Sequence, residues 1–486
     1  MTSNHQVTMN QQLTPRLSLP LHFSAYVFVP IIVLLILNIG SINPLTFELN
    51  ALALVITIIP WWSFLRWWQS REGLPVFALI AGMHWLYFVM PAYWVELRIP
   101  VWYTSSLYAS SEGVNQALLM VLIGVVSIGI GYRLTVNQPF KLSGGNLTIP
   151  FNYLRFLLLT GILLSFFPDL ANIFGESGRQ FIYTLQGTVP TLCYAALLMN
   201  YLQGKASSFD RVLIVGYLLS FFFIGLSSGW LGSLLGLFVV TLMCFWITKR
   251  SFPWIFLIPA VLLLVLLQPA KGIFRQEFWS DGPRGFNVIE RTEFWIAAVE
   301  TAWSDASNNV DVLQRNVSAS LSRVSLLTQA VNVLEKTPEV VPFQNGDTYS
   351  FAILGLIPRF IWPDKPSGND ANRFYQVAYG ITPEDRLHTV SIAIGFLTEG
   401  FVNFGLFGVA LVCLIAGAVL GLIQSVFLKG SSNLISLALG ISLIEMALKI
   451  ETQLGLYLVA IVMTLVYTYL VVGVGLLVTG SSKVAR

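Results

Sequence analysis

The sequence predicts an all-α polytopic membrane protein, with about twelve transmembrane helices and one large, mostly helical external loop domain. Three observations carry that prediction. Of 486 residues only 10% are charged while 55% are hydrophobic, against about 25% charge in an ordinary soluble domain. Mean hydropathy is +0.73. The charge is also concentrated: residues 271–390 hold 25 charged side chains in 120 positions, leaving 26 for the other 366. One segment is therefore built for water and the remainder for lipid. The net charge of +3 with dispersed basic residues lacks the clustered basic face that a nucleic-acid partner requires.

A helix needs about 20 apolar residues to cross the hydrocarbon core. Such runs lie near 22–41, 50–69, 75–94, 114–132, 154–172, 183–202, 211–227, 230–248 and 252–270, and after the polar segment near 404–428, 433–450 and 453–477. The first run lacks a small-residue cleavage pattern before Asn43 and reads as a retained span. Three regions follow: an N-terminal transmembrane bundle over 1–270, an external domain over 271–390, and a re-entrant or interfacial helix with C-terminal spans over 391–486. With the N-terminus inside, thirteen basic residues fall on inside connections and span ends, against three (Arg98, Arg179 and Lys449) on the short outside ones. Basic residues accumulate on the cytoplasmic side of short loops, so both termini are expected inside and the 271–390 segment outside.

Within that segment apolar residues recur at Leu313, Val317, Leu321, Val324, Leu327, Val331 and Leu334, a helical spacing that predicts one helix over about 310–334. A second is expected over about 288–303, with Ile289, Ile296, Val299 and Trp303 near one face. Pro and Gly punctuate the stretch from Thr337, TPEVVPFQNGDTYSFAILGLIPRFIWPDKPSGND. Its apolar part is too short to span and is expected to press on the membrane surface or re-enter it, with Trp362 at headgroup level. In HTVSIAIGFLTEGFVNFG, residues 388–405, helical spacing puts Gly395, Glu399 and Asn403 on one face. Glu399 is the one carboxylate in the apolar run from Val390 to Leu428, and a carboxylate at that depth is costly unless it faces protein or water.

Cations that could hold a phosphate are Arg275 beyond the ninth span, Arg323, Arg359 and Lys365 in IPRFIWPDKP, and Arg386 near His388. Arg holds phosphate through two parallel donors. His388 and Glu399 are the candidate proton acceptors. His84 and Glu445, each inside a span, are expected to make helix–helix hydrogen bonds. No DxD, HExxH or GxxxxGK[ST] pattern occurs, which argues against a DxD-bound metal, zinc hydrolysis and P-loop energetics; no metal and no cofactor are expected. GLSSG at Gly225–Gly229 matches the GxSxG elbow formally, but apolar spans flank it instead of a strand and a helix. Cys193, Cys244 and Cys413 lie far apart in apolar runs, as packing residues do.

The runs RNVSASLSRVS from Arg315, PFQNGDTY from Pro342, IPRFIWPDKP from Ile357 and TEGFVNFGLFG from Thr398 resemble the bacterial oligosaccharide repeat-unit polymerases, the Wzy-type O-antigen polymerases. The resemblance covers the whole topology and is sharpest over 315–408. It implies a glycosyltransferase of the bacterial cytoplasmic (inner) membrane that moves a growing glycan from an undecaprenyl diphosphate carrier onto another lipid-linked repeat unit at the outer face. Its partners would be undecaprenyl-diphosphate-linked oligosaccharides and the lipid bilayer, with a chain-length regulator and a flippase of the same pathway. In such an enzyme Arg275, Arg323, Arg359, Lys365 and Arg386, with Asn403, would bind diphosphate or glycan, and His388 or Glu399 would take the acceptor proton. An O-antigen ligase-like transferase and a lipid-linked-oligosaccharide flippase are the alternatives.

Overall fold

The computed structural model describes residues 23–99 apart from 44, 71 and 72; 107–138; 149–279 apart from 168, 169, 171, 172, 174, 230 and 252; 288–308; 312; 321–350 apart from 323; 354, 357 and 362; 370–387; and 392–478 apart from 430 and 432. Each of the twelve apolar runs falls on a helix. They are α1 (Phe23–Asn38), α2 (Phe47–Ser70), the composite α3 (Val76–His84) and α4 (Met90–Trp94) joined by a π-helical turn at Trp85–Val89, α5 (Ser111–Val136) and α6 (Phe151–Phe166). There follow α7 (Gly175–Leu202), α8 (Ser208–Ser228), α9 (Leu231–Lys249) and α10 (Trp254–Trp279). Seven helical stretches of the described residues are long and apolar enough to cross a membrane, and four shorter apolar helices accompany them. The architecture is that of a helical, multi-pass membrane protein. Among the described residues one small antiparallel ladder pairs Arg98 with Tyr108 and Ile99 with Leu107.

The polar segment contributes α11 (Val288–Asn308), α12 (Leu327–Lys336) and α13 (Asp370–Ala378), and the C-terminal part α14 (Gly395–Ile423), α15 (Leu434–Ala447) and α16 (Leu454–Val478). α10 runs unbroken past residue 270 to Trp279. α11 folds back along it. Arg291 lies over the Phe278 ring, Phe274 stacks on Trp295 with centroids 4.8 Å apart, and Trp303 Nε1 donates to Leu266 O at 2.9 Å. These contacts fix an antiparallel hairpin. The expected α11 face is only half right: Val299 packs inward, but Ile289 and Ile296 are 71% and 67% exposed. The reason lies in α8, whose last carbonyls need donors. Trp295 Nε1 donates to Leu226 O and an Arg291 guanidinium nitrogen to Ser227 O, each at 2.7 Å, and these two bonds set the rotation of α11.

The helix expected over about 310–334 is not continuous. Val324 and Ser325 make tight bonds three residues back, and Leu326 N donates to Tyr87 O at 3.0 Å instead of continuing the helix. A carbonyl of the π-helical turn thus competes with the local ladder, and a new helix, α12, begins at Leu327. Residues 310, 311 and 313–320 lie outside the described residues.

The tightest helix pair is α5 with α14. A Cβ on Gly417 would overlap Ile128 O, one on Gly421 would lie 2.6 Å from Tyr132 O, and one on Gly124 would lie 3.1 Å from Cys413 Sγ. Pairing 124 with 413, 128 with 417 and 132 with 421 makes the two helices parallel. Thr135 Oγ1 donates across the seam to Ala418 O at 2.8 Å. Small residues permit this backbone approach and allow such hydrogen bonds.

α14 is two pieces. Phe404 (φ −143°, ψ 23°) and Gly405 (φ 61°, ψ −150°) interrupt it, and a Cβ on Gly400 would lie 2.9 Å from Gly408 O. Residues eight apart on a straight helix are separated by about 12 Å. The chain therefore reverses at 404–405, laying the 395–403 arm against 405–413. Gly405 sits in a backbone region that is essentially glycine's alone. Unfolded straight, the 34 residues from Gly395 to Leu428 would reach about 51 Å at 1.5 Å per residue, well beyond a bilayer core of about 30 Å. The reversal removes that excess by folding the 395–403 arm back on the rest of the helix.

Candidate functional site

The reversed arm gathers the most polar buried region of the described bundle. Glu399 is 1% exposed, and both of its carboxylate oxygens are engaged. Oε1 accepts from Thr348 Oγ1 at 3.1 Å and from Tyr375 Oη at 3.4 Å; Oε2 accepts from Leu454 N at 2.7 Å. Leu454 is the first residue of α16, so the carboxylate caps a helix N-terminus, where unpaired N–H groups and the helix dipole both favour a negative charge. One side chain therefore ties together the arm, the loop before residue 350 and α16, with a weaker contact to α13. Burial and the nearby Glu399 carboxylate push the Tyr375 and Tyr349 phenols well above the ordinary tyrosine value. Both phenols are neutral at physiological pH.

Asn403, one turn on, completes the lock. Its Nδ2 donates to Thr348 Oγ1 at 2.8 Å and to Glu399 O at 2.9 Å, and its Oδ1 accepts from Gly346 N at 2.9 Å. The end of the arm is capped by the same loop, with Gln344 N donating to Val402 O at 3.0 Å and Asn345 N to Asn403 O at 3.2 Å. To present successive N–H groups to one helix end, the loop takes left-handed conformations at Asn345 (φ 51°) and Gly346 (φ 102°), a use for which Asn and Gly are suited. The segments 342–349 and 398–408, far apart in sequence, are thereby joined.

Around this lock, Tyr379 Oη pairs with Thr337 Oγ1 at 2.6 Å, and Lys336 Nζ donates to Tyr379 O at 2.6 Å. Burial pushes the Tyr379 phenol up to about 12, with the Thr337 bond opposing. α12 is pinned to the start of α5 by Glu335 Oε1, which accepts from Ser110 Oγ at 2.8 Å. The arm begins at Gly395 (φ 77°), where a Cβ would lie 2.7 Å from Ile450 O. That contact sets the arm's start on the α15–α16 connection. Burial pushes the Glu451 carboxyl in that connection above the ordinary carboxylate value, with the charges of Lys449 and Lys271 opposing.

Of the expected site residues the structure joins Glu399 and Asn403, on one face as their spacing predicts. Arg275 lies on α10, one turn beyond Lys271 and next to Phe274 in the α10–α11 hairpin. Arg386 belongs to a short 3₁₀ turn, Glu384–Arg386. His388, Arg323, Arg359 and Lys365 lie outside the described residues. Residues 392–394 are not helical and α14 starts at Gly395, so any pairing of His388 with Glu399 does not follow from a shared helix. The expected hydrogen bonds of the intraspan groups take a local form. His84 Nδ1 bonds Ile80 O at 2.8 Å on its own helix, and Glu445 pairs with Lys449 at 2.9 Å. Within Gly225–Gly229, Ser227 and Ser228 bond carbonyls of their own helix turn, unlike a nucleophile elbow. Sequence reading passed over Thr348, Tyr375 and Leu454 N, which lie 51, 24 and 55 residues from Glu399. The signal available was the Asn345–Gly346 dipeptide, a turn marker with two consecutive left-handed positions.

The family described as Domain of unknown function (DUF8712) matches residues 116–479, and the chain belongs to that family. The match takes in α14, the 342–349 loop, α13 and the start of α16. No curated protein and no solved structure matches the chain.

Proposed function

We propose that the protein polymerises undecaprenyl-diphosphate-linked oligosaccharide repeat units at the outer face of the bacterial inner membrane, as a glycosyltransferase with twelve spans, cytoplasmic termini and a periplasmic 271–390 domain. The observation that carries this reading is the meeting of the two sequence segments on which the polymerase resemblance rests. PFQNGDTY wraps the end of the TEGFVNFG arm through three bonds from consecutive backbone N–H groups, and Thr348 meets Glu399 inside. The reversed arm is bonded to the start of α16, a helix long and apolar enough to cross a membrane, and a site beside such a helix suits a lipid-linked substrate.

In this mechanism the lipid diphosphate is already an activated leaving group, so neither nucleotide nor ATP is consumed. The acceptor hydroxyl loses its proton to a base and attacks the anomeric carbon of the donor glycan. The bond to the diphosphate breaks with its electron pair leaving on the phosphate oxygen. Arg359, with Arg275, Arg323, Lys365 and Arg386, stabilises that charge. Glu399 and Asn403 hold the arm and loop in register, and His388 or a carboxylate facing the open side receives the proton.

Glycan length in a deletion strain tests the reading. Glycans of single repeat units exported to the surface are expected, with polymer restored by the full chain. Repeat units trapped inside the cell would instead identify a flippase, and full-length polymer left unattached to its acceptor would identify a ligase.

A further inference from the structure

We propose that Asp347 is the carboxylate that takes the proton from the acceptor sugar hydroxyl, in a glycan subsite formed by the 342–350 loop and the tip of the re-entrant hairpin. This assignment rests on the polymerase reading above and names a residue for it. Glu399 is poorly placed for the task because its oxygens already accept from Thr348, Tyr375 and Leu454 N, and it is buried. Asp347 has the opposite situation one residue from Thr348. It begins the 3₁₀ turn Asp347–Tyr349, where three residues complete a turn. Asp347 and Ser350 therefore point one way, and both are exposed, whereas Thr348 points inward and is buried. The Asp347 backbone is fixed from both sides, with its N–H on Gln344 O at 3.0 Å and its carbonyl accepting from Ser350 Oγ at 2.7 Å. Its carboxylate accepts no hydrogen bond from a described residue.

The surroundings suit a sugar. Phe404 at the hairpin tip is 40% exposed and Phe407 72% exposed. A Cβ on Gly346 would lie 3.4 Å from Phe404 Cζ, so that ring rests on the loop beside Asp347. Phe343 meets Phe401 edge to face at 6.1 Å and is half-buried. Aromatic surface with a few fixed polar groups is the usual lining of a small-molecule site. The C–H face of a pyranose fits such a surface, and its hydroxyls reach Asp347 and Asn345, which is also exposed. In the step itself the acceptor O–H proton passes to an Asp347 oxygen as the new glycosidic C–O bond forms. The C–O bond to the lipid diphosphate breaks, its electron pair leaving with the phosphate, and Asp347 then returns the proton to water.

The test uses the full-length protein in liposomes with a defined lipid-linked repeat unit. Asp347→Asn is expected to slow polymerisation by about 10²–10⁴-fold, the usual contribution of a general base, with the thermal midpoint of the purified protein unchanged. Added formate is expected to restore part of the rate to Asp347→Ala and to leave His388→Ala unaffected. Polymer formed at the wild-type rate by Asp347→Asn would overturn the assignment, as would formate rescue of His388→Ala alone. A lowered thermal midpoint in Asp347→Asn without formate rescue of Asp347→Ala would overturn it too, by making the residue structural. Polymer from neither variant nor wild type would remove the polymerase reading, and this assignment with it.

Discussion

Replacing Glu399 with Ala perturbs the junction at its centre. The substitution strips an acceptor from two firmly bonded buried donors, Thr348 Oγ1 at 3.1 Å and Leu454 N at 2.7 Å. The Tyr375 contact, at 3.4 Å, is at the limit of a hydrogen bond and adds little. A buried donor left unpaired costs about 1–3 kcal/mol, so the two together cost about 2–6 kcal/mol. Removing a buried carboxylate relieves part of its own desolvation, which moves the expectation to the lower half, about 2–4 kcal/mol. Glu399→Gln keeps one oxygen acceptor but turns an amide N–H₂ toward the other donor, so it should lose one bond, about 1–3 kcal/mol. Thermal unfolding of detergent-purified protein at one fixed scan rate should rank wild type above Gln and Gln above Ala. Proteolysis should open the 342–350 loop first in the Ala variant, because Thr348 anchors it. An Ala variant that melts with the wild type would refute the claim that this carboxylate ties the arm, the loop and α16 together.

Two further perturbations follow from the backbone and one from the topology. Gly417→Leu places a side chain where even a Cβ overlaps Ile128 O, and it should abolish stable accumulation of the protein in membranes; normal accumulation would contradict the α5–α14 seam. Gly405→Val forces a β-branched residue into φ 61°, ψ −150°, at a cost of at least about 1–3 kcal/mol, and should lower the thermal midpoint. An unchanged midpoint would remove the reversal. For sidedness, a cysteine at Ser367 should react with an impermeant label from outside, and one at Ser207 only after permeabilisation. The reverse pattern would invert the proposed mechanism.

The twelve helices were legible because an apolar run of about 20 residues has few other fates. Glu399 was legible for the complementary reason, a charge set where charge is expensive. What escaped the sequence are departures decided by partners. The break at Val324–Leu326 exists because Tyr87 O takes the Leu326 N–H, and no local pattern encodes a carbonyl on another span. The rotation of α11 is likewise set by the α8 carbonyls at Leu226 and Ser227, while the isoleucine spacing pointed to a different face. The break at Phe404–Gly405 falls where the first C-terminal span was expected to begin, but the packing of 395–403 back along 405–413 was not legible, because a reversal between two apolar arms changes direction without changing composition. Asp347 carries no mark of its own in the sequence, since Asn345–Gly346–Asp347 is ordinary turn chemistry. Only the inward bond of Thr348 to Glu399 ties this turn to the buried junction.

The proposed glycosyl transfer from a lipid diphosphate can be measured with purified protein, liposomes and one chemically defined undecaprenyl-diphosphate-linked repeat unit. The account predicts a ladder of products that differ by one repeat unit, with undecaprenyl diphosphate released once per bond formed and with Arg359→Ala producing neither. Repeat units that remain single while the lipid carrier stays fully loaded, in a preparation whose thermal midpoint matches that of protein active in cells, would contradict it.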